Sequence, residues 1–395
     1  MHSNNNQLNK LKVLLAAPLP PPDHGGIANW TRIIRAELGK NPNLDLRFVD
    51  TTARYRAVTN QSLAVRLVGG SVQALRDTWR IYRQMKKYRP HLLHLCTSAG
   101  PATLKDWLIL RISKWLQIPS VIHYRMGRLP DIAKRAGAEW QLIRRAVRLA
   151  DVVLPLDKNS EASIRNAIPQ AKVVKIPNMV EIDDIDRISK TGSAPPNCSQ
   201  GCIRLVFAGH VIPTKGLREL VLACARLPDY NLLLDIIGPV SAGFLQELQQ
   251  IASTAKNGDW MRCLGSVDHE ETVRHIASAE IFVLPSYTEG MPNVVLEAMA
   301  CQRAIIAAAV GAVPEMLDIG GPQECGVCVP PRNVDALAQA IRRLADEPQL
   351  RRQLGLKARQ RVEQLYCVPV GCEQLVNVWL SVSRRKLWDV HQSQS

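Results

Sequence analysis

Short, continuous runs of apolar residues recur through the first half of the chain, separated by longer stretches of helical periodicity. Continuous runs of this length are typical of strands that are buried on both faces of a parallel sheet. The predicted strands are residues 12–17, 44–49, 92–96, 120–123, 152–154 and 173–176. The predicted helices between them include residues 27–38, 71–88 and 101–116. Strands that alternate with helices in this way predict a doubly wound α/β domain.

The alternation stops in a stretch rich in turn-forming residues and then starts again. We interpret residues 186–202 as a linker between an N-terminal domain, residues 1–185, and a C-terminal domain, residues 203–370. The second half is predicted to hold strands at 203–208, 231–237, 261–264, 281–284, 304–308 and 326–329. Its predicted helices are 216–226, 243–255, 270–277, 293–300, 335–344 and 348–364.

The predicted fold class is therefore α/β, with two Rossmann-like, doubly wound parallel-sheet domains. Such sheets bind ligands at the carboxyl ends of their strands, so a cleft between the two domains is the expected site. Residues 371–395 are expected to form a C-terminal helix, over 372–387, and a frayed tail. We expect this helix to pack back on the N-terminal domain.

Positive charge is concentrated in the N-terminal half of the chain. Residues 1–190 hold 31 Lys and Arg against 15 Asp and Glu, whereas the rest of the chain holds 19 against 20. One interpretation is an ordinary solvated surface. The other is a surface that meets an anionic partner, such as a membrane, a lipid phosphate or a nucleic acid.

No segment of the sequence predicts export or insertion into a membrane. The apolar run at residues 11–17 is too short for a signal peptide, and no stretch approaches the roughly 18 apolar residues of a spanning helix. The ten cysteines are therefore expected to be reduced thiols in the cytoplasm. Cys325 and Cys328 stand without a second pair at zinc-ligand spacing, so no metal site is predicted.

The strongest chemical pattern follows a predicted strand and reads Leu284-Pro-Ser-Tyr-Thr-Glu-Gly-Met-Pro-Asn-Val-Val-Leu-Glu-Ala-Met-Ala. Glu289 lies in the loop, and Glu297 lies one turn into the next helix, which Pro292 is suited to open. The N-terminus of that helix presents the backbone N–H groups of Asn293 and Val294, where a phosphate would be stabilised. The two carboxylates can accept hydrogen bonds from sugar and ribose hydroxyls. By spacing alone, two solvated glutamates on a strand–helix turn explain the pattern equally well.

This segment resembles the Glu-x7-Glu signature of retaining nucleotide-sugar glycosyltransferases of the family-4 type, the glycosyl transferases group 1, which have the GT-B fold. Further segments resemble that family in the same order along residues 11–365. They are Gly25-Gly26, Val121-Ile-His123, Ile176-Pro-Asn178-Met-Val-Glu, Ala208-Gly-His-Val-Ile-Pro-Thr-Lys215-Gly and Val310-Gly-Ala-Val-Pro-Glu315.

The resemblance implies a role for each matching position. Lys215 would supply positive charge to the donor diphosphate, Glu289 would hold the transferred sugar, and Glu297 would hold the ribose. His123 would contact the transferred sugar from the N-terminal domain, so that the implied catalytic residues are His123, Lys215 and Glu289. The remaining substrate-binding positions that it implies are Gly25, Gly26, Asn178, His210, Gly290, Met291, Pro292, Asn293 and Val294.

The sequence departs from the family pattern at the second cation of the diphosphate site. The family usually has Arg where this chain has His210, and a histidine is only partly charged near neutrality. Either another cation compensates, such as Arg218 or an arginine of the N-terminal domain, or the activity is weaker. Met179 and Gln302 also stand where the family often has glycine.

The resemblance implies a retaining hexosyltransferase that needs no metal and no other cofactor, and that takes a UDP-, GDP- or ADP-linked sugar as donor. In the N-terminal half, Trp79, Tyr82 and Trp115 are interleaved with Arg and Lys. This favours a lipid-linked acceptor on an anionic membrane over a soluble glycan, with nucleic acid the least favoured partner. We therefore expect a cytoplasmic protein, peripheral on the inner face of the cell membrane, in cell-surface polysaccharide synthesis. A nucleotide-sugar epimerase of the same fold and a non-catalytic sugar-nucleotide-binding protein are the alternatives.

Overall fold

The computed structural model describes residues 10–20, 26–52, 63–100, 102–191, 201–253 and 260–383. The chain divides into two compact units, each with one sheet of parallel strands. The N-terminal unit comprises Met1–Pro177 together with Gly371–Ser395. The C-terminal unit comprises Asn178–Val370.

The sheet of the N-terminal unit has five strands. They are β1 (Leu11–Ala17), β2 (Leu44–Asp50), β3 (Leu92–Thr97), β4 (Ser120–Tyr124) and β5 (Val152–Leu154). The order across the sheet is β2-β1-β3-β4-β5, with every neighbouring pair parallel. Every residue of β3 and β4 is buried. Because helices cover both faces, these strands read as continuous apolar runs in the sequence.

Helices connect these strands, and a further helix follows β5. They are α1 (Gly26–Leu38), α2 (Leu63–Tyr88), α3 (Ala102–Trp115), α4 (Leu129–Arg135), α5 (Ala138–Val147) and α6 (Lys158–Ala167). The crossovers that contain α2 and α3 both run toward β5, whereas the α1 crossover runs the other way. Because crossovers between parallel strands are right-handed as a rule, we infer that α2 and α3 lie on one face of the sheet and α1 on the other. Ile81 and Met85 of α2 and Ile109 of α3 pack in the hydrophobic core.

The sheet of the C-terminal unit has six strands. They are β6 (Ile203–Ala208), β7 (Leu232–Ile237), β8 (Met261–Gly265), β9 (Ile281–Leu284), β10 (Ala304–Ala308) and β11 (Val327–Val329). The order is β11-β10-β9-β6-β7-β8. From β6 the chain proceeds through β7 to β8, toward one edge of the sheet. From β9 it proceeds through β10 to β11, toward the other edge. The chain therefore switches direction between these two neighbours, and the carboxyl ends of β6 and β9 border the crevice where such sheets bind ligands.

The helical elements of the C-terminal part begin before its first strand. They are α7 (Ile182–Lys190), a short 3₁₀ helix (Pro213–Lys215), α8 (Leu217–Ala225), α9 (Ala242–Ala252), α10 (His269–Ser278), α11 (Asn293–Ala300), α12 (Val313–Met316), α13 (Val334–Asp346), α14 (Pro348–Leu365) and α15 (Val368–Val382). Within the described residues, no helix combines the length and the apolar character that crossing a bilayer requires.

The last helix, α15, returns the chain to the N-terminal unit. Its Trp379 is fully buried there, and the indole Nε1 donates a hydrogen bond to Nδ1 of His94 on β3 at 2.9 Å. The prediction that the C-terminal helix packs on the N-terminal domain is therefore confirmed. The helix begins at Val368 rather than at residue 372, and residues 384–387 of the prediction lie outside the described residues.

One predicted strand is wrong, and several helices were not predicted. Residues 173–176 make a single parallel bridge, Val153 with Val173, and then two backbone hydrogen bonds along β5. Pro155 follows β5 and has no N–H to continue a ladder, so the segment does not become a full strand. The unpredicted helices are α4, α5, α6, α7 and α12. Of the predicted linker, residues 186–190 lie in α7, and residues 192–200 lie outside the described residues.

Candidate functional site

An ion pair joins the loops that follow β6 and β9. Lys215 ends the 3₁₀ helix after β6, and its Nζ lies 2.6 Å from Oε1 of Glu289, in the loop after β9. β6 and β9 are neighbours in the sheet, so their carboxyl-terminal loops start side by side. The backbone N–H of Tyr287 also donates to the carbonyl of Thr214 at 2.9 Å. The two sequence motifs, 74 residues apart, therefore form one site.

Glycine is required where the backbones of these loops approach each other. Gly216 has φ +73°, and a Cβ atom there would lie 2.1 Å from the carbonyl oxygen of Pro285. Gly311, in the loop after β10, has φ +56°, and a Cβ atom would lie 2.4 Å from the carbonyl oxygen of Glu289. A side chain at either position would both clash and strain the backbone. The glycines thus hold three loops together around Glu289.

Helix α11 starts immediately after this ion pair. Pro292 is its N-cap residue with extended backbone, and among the described residues no side chain caps this end. The first N–H groups of a helix have no partner within the helix, and the helix dipole adds partial positive charge there. Pro292, Asn293 and Val294 therefore form a helix N-terminus of the kind that accepts an anionic group.

Glu297 lies on the buried side of α11 and is 8% exposed. Burial raises the pKa of its carboxyl group, and the nearby His269 acts in the opposite direction. Nδ1 of His269, at the start of α10, lies 3.9 Å from Oε1 of Glu297. The sequence did not single out His269, because it belongs to no motif.

Asn178 and Met291 stabilise the loop that carries Glu289. The Asn178 side-chain amide donates to the Met291 carbonyl at 2.7 Å, and its backbone N–H contacts the Met291 sulfur at 3.1 Å. Both residues are buried. The Gly290 carbonyl accepts from the Ala312 N–H at 2.8 Å, which ties the same loop to the one after β10. The structure thus shows Asn178, Gly290 and Met291 as parts of the loop framework.

The cations around the site differ from the expected pattern. His210 follows β6 and is exposed. Arg218 makes a two-fold hydrogen-bonded ion pair with Glu247, one contact being 2.8 Å, and its guanidinium lies over the Phe244 ring. Arg332, which the sequence analysis did not identify, lies with its guanidinium 4.4 Å from the centre of the Tyr287 ring, two residues before Glu289. No motif marks Arg332, because it comes from the separate loop after β11.

In the N-terminal unit, Gly26 begins α1, whereas Gly25 lies outside the described residues. His123 is fully buried on β4, at the carboxyl-terminal part of the sheet. Its ring packs against Trp30 and His94 with centroids 5.2 and 5.3 Å apart. Burial lowers the pKa of His94 to about 3 and that of His123 well below its usual value, so both rings are neutral.

The indole of Trp379 fixes the tautomer of the His94 ring. An indole N–H can only donate, so Nδ1 of His94 must accept from Trp379, and the ring proton of His94 is on Nε2. That Nε2–H then donates to Nδ1 of His123 at 3.3 Å. Nε2 of His123 lies 3.5 Å from Nη1 of Arg125, and the ring also forms a hydrogen bond with the backbone of Ile176. Both ring nitrogens of His123 therefore have partners inside the N-terminal unit.

His94, Cys96 and His123 are close enough to offer three ligand atoms to a metal, within 4.8 Å of one another. Their surroundings favour the neutral hydrogen-bonded arrangement instead. Burial raises the pKa of the Cys96 thiol to about 12, which disfavours the thiolate that metals bind. The Arg125 guanidinium also lies 3.5 Å from Nε2 of His123, and this cation would repel a metal ion.

The pair Cys325 and Cys328 likewise has the properties of protonated thiols. Both are free cysteines. Burial raises the pKa of Cys325 to about 11 and that of Cys328 to about 12. The Cys325 thiol donates to the backbone carbonyl of Leu317 at 3.5 Å. This contact closes the turn before β11.

Comparison with known proteins relates part of the chain to a family. Residues 197–361 match the model of the family described as glycosyl transferases group 1. The chain is also 24% identical over 332 residues to the alpha-D-kanosaminyltransferase of Streptomyces kanamyceticus, across 80% of this chain and 82% of that enzyme. This segment of the chain is therefore similar to the group 1 glycosyl transferases. The segment that matches the family model contains both Lys215 and Glu289.

Two further similar proteins define how far the likeness extends. The MMP alpha-(1->4)-mannosyltransferase of Mycolicibacterium hassiacum is 30% identical over 176 residues, or 44% of this chain. The match spans less than half of that enzyme, 42% of its length. The structure of Anabaena HepE in complex with UDP-glucose aligns over 94% of this chain and 99% of that chain, with TM-score 0.65 and 16% identity. The predicted fold class, GT-B with two Rossmann-like domains, is therefore confirmed.

Proposed function

We propose that this enzyme transfers a hexose from a nucleotide-sugar donor to a glycan or lipid-linked acceptor, with retention of the anomeric configuration. The observation that carries the proposal is the ion pair between Lys215 and Glu289, 2.6 Å apart at the N-terminus of α11. A cation, a helix N-terminus and a carboxylate are what a sugar diphosphate requires. The UDP-glucose in the HepE complex belongs to the same chemical class.

In the proposed complex the diphosphate replaces Glu289 as the partner of Lys215. The Lys215 ammonium and the N–H groups of Asn293 and Val294 bind the phosphate oxygens. The released Glu289 carboxylate accepts hydrogen bonds from hydroxyls of the transferred sugar, and Glu297 accepts from the ribose. Arg332, beside Tyr287, supplies further positive charge where this chain lacks the family's arginine and has His210 instead.

The chemical step follows from these contacts. The bond between the anomeric carbon and the diphosphate oxygen breaks, and the acceptor oxygen forms a bond to the same face of the sugar. The acceptor proton passes to an oxygen of the leaving diphosphate. Lys215 and the α11 N-terminus stabilise the negative charge that develops on that diphosphate, which is the main way such a site lowers the barrier. No protein nucleophile is required in this scheme.

The first test compares Glu289→Ala with the matched control Glu271→Ala, an exposed glutamate in the first turn of α10. Purified variants are incubated with UDP-, GDP- and ADP-sugars and lipid-linked or glycan acceptors, and both the nucleoside diphosphate and the glycosylated product are measured. We expect Glu289→Ala to abolish transfer while the protein remains folded, and Glu271→Ala to retain transfer. Transfer that survives in Glu289→Ala would refute the assignment of the site.

Product analysis separates the remaining alternatives. NMR of the product from an α-linked donor should show an α linkage, and a β linkage would exclude retention. Epimerised donor in the absence of acceptor would indicate the epimerase. Donor that raises Tm without any turnover would indicate a binding protein, because a ligand that binds only the folded state stabilises it.

A further inference from the structure

Exposed apolar side chains are concentrated on two neighbouring helices of the N-terminal unit. Among the described residues, twelve large hydrophobic side chains are exposed, and six of them lie on α2 and α3. Leu75 is 66% exposed and Trp115 is 70% exposed. The six residues, called the apolar surface below, are Val72, Leu75, Trp79, Leu104, Leu108 and Trp115.

The apolar surface follows helical periodicity on each helix. Val72, Leu75 and Trp79 are spaced by three and four residues, which places them on one side of α2. Leu104, Leu108 and Trp115 lie on one side of α3 by the same rule. The opposite sides of these helices are already packed in the core. Each helix thus has a second apolar side that faces solvent, which soluble proteins rarely expose without a partner.

The two helices are packed side by side. Lys105 Nζ lies 3.8 Å from Oδ2 of Asp77, which joins α3 to α2. The two apolar sides therefore belong to neighbouring elements on the same face of the sheet.

All exposed charges described on these two helices are positive. The exposed basic residues from residue 70 onward are Arg76, Arg83, Lys86, Lys87, Arg111 and Lys114. The only acidic residues within Leu63–Tyr88 and Ala102–Trp115 are Asp77 and Asp106, and both are buried. Asp77 faces Lys105, and Asp106 accepts from Thr97 Oγ1 at 2.5 Å. Apolar side chains on these helices are therefore accompanied only by cations.

We propose that α2 and α3 form a docking surface for an anionic lipid bilayer. The apolar residues would enter the boundary between headgroups and acyl chains, and the cations would bind lipid phosphates. Tryptophan is enriched at this boundary, and the Arg83 guanidinium lies 4.6 Å from the centre of the exposed Trp79 ring. A second copy of this chain fits less well, because it would bring two wholly basic surfaces together. The inference rests on the proposed function in one respect only, which is that the acceptor is carried by a membrane.

The test is vesicle flotation of the full chain at low and high salt. Vesicles of phosphatidylcholine alone are compared with vesicles that also contain phosphatidylglycerol. The parent should float only with the anionic vesicles, and less at high salt. The double variant Trp79→Ser, Trp115→Ser should lose about tenfold in partitioning with its Tm unchanged. The variant Arg83→Gln, Arg111→Gln should lose its preference for anionic lipid.

The matched control is Leu222→Ser, Leu356→Ser, which removes two exposed leucines of the C-terminal unit and should float like the parent. A parent that does not float with anionic vesicles overturns the proposal, and so does a Trp79, Trp115 variant that floats equally well. A parent dimer that this variant converts to a monomer would also overturn it in favour of self-association. Transfer to a water-soluble acceptor should persist in the variant, so failure of docking and failure of the proposed activity can be distinguished.

Discussion

At the scale of single residues, Lys215 and Glu289 form an ion pair with each other. Their side chains are 23% and 10% exposed, so an isolated charge at either position would be costly. The ion pair satisfies both groups before a donor binds. On our proposal the diphosphate and the sugar hydroxyls then take over the two halves of the pair, so binding exchanges one set of charged contacts for another.

Gly311 provides a test of the loop framework that does not remove any charged group. In Gly311→Ala the new methyl would meet the carbonyls of Glu289 and Gly290 at 2.4 and 2.5 Å, at φ +56°. The loop must shift, and the strained backbone costs about 1–3 kcal/mol. We expect a lower Tm and weaker donor binding, measured by thermal unfolding and by nucleotide-sugar titration.

The control for Gly311→Ala is Gly243→Ala in the first turn of α9. A Cβ atom at Gly243 meets nothing within 4 Å, so this substitution should leave Tm equal to the parent or slightly higher. Donor affinity should not change. Equal effects of the two substitutions would contradict the role of Gly311 in holding the loop of Glu289.

At the scale of elements, hydrogen bonds across the buried rings link α15 to β3 and β4. Trp379 on α15 donates to His94 on β3, which in turn donates to His123 on β4. Because both histidines are neutral, each hydrogen bond is donated toward β4: from Trp379 to His94, and from His94 to His123. The C-terminal helix thus determines the tautomer of His94, which contacts the residue that the family resemblance placed at the active site.

The contact of Asp106 on α3 with Thr97 on β3 predicts that the stability of the fold depends on pH. Burial raises the pKa of Asp106 to about 6, even though Lys105 opposes the shift and Thr97 donates to the carboxylate. In the unfolded chain the group titrates near its usual 3.8. The folded state therefore binds the proton more tightly, and its stabilisation is complete below pH 3.8 and is lost as the pH rises through 6. The substitution Asp106→Asn removes the titrating group, so this loss of stability at higher pH does not occur in the variant.

The measurement is the Tm of Asp106→Asn and of the parent across the range from acid to neutral pH. Relative to the parent, the variant should gain stability as the pH rises, by up to about 3 kcal/mol. The amide oxygen can still accept the hydrogen bond from Thr97. Two Tm curves that stay parallel over this range would show that folding does not raise the pKa of Asp106.

At the scale of the whole molecule, charge and chemistry lie in different parts of the chain. The excess of positive charge lies within residues 1–190, whereas the match to the group 1 family covers residues 197–361. On our proposal the charged part meets the acceptor and its membrane, and the family-matching part binds the donor. Separate sites of this kind allow one interaction to be disrupted without the other.

The proposed donor site also predicts how transfer responds to chelation. Lys215 and the α11 N-terminus supply positive charge to the diphosphate in our scheme, so a divalent cation is not needed there. Transfer measured as nucleoside diphosphate release should be unchanged by EDTA and by later addition of magnesium or manganese. Loss of activity in EDTA, restored by one of these metals, would refute this part of the proposal.

Much of the local structure follows from the sequence alone. The strands β5, β6, β9 and β10 and the helix α11 have the predicted bounds. Buried strands and helix starts have strong local signals, since apolar runs and a proline at the helix entrance act over a few residues. The roles suggested for Lys215, Glu289 and Glu297 also came from the sequence, through their motifs, and remain predictions.

Only the tertiary structure decided which residues meet. Strand order, the contact between Trp379 and His94 and the positions of Arg332 and His269 depend on chain segments that are far apart in sequence. The failed strand at 173–176 and the exposure of Leu75 and Trp115 were decided in the same way. An apolar residue at helical spacing has the same local pattern whether it faces the core or solvent, and only packing determines which it does.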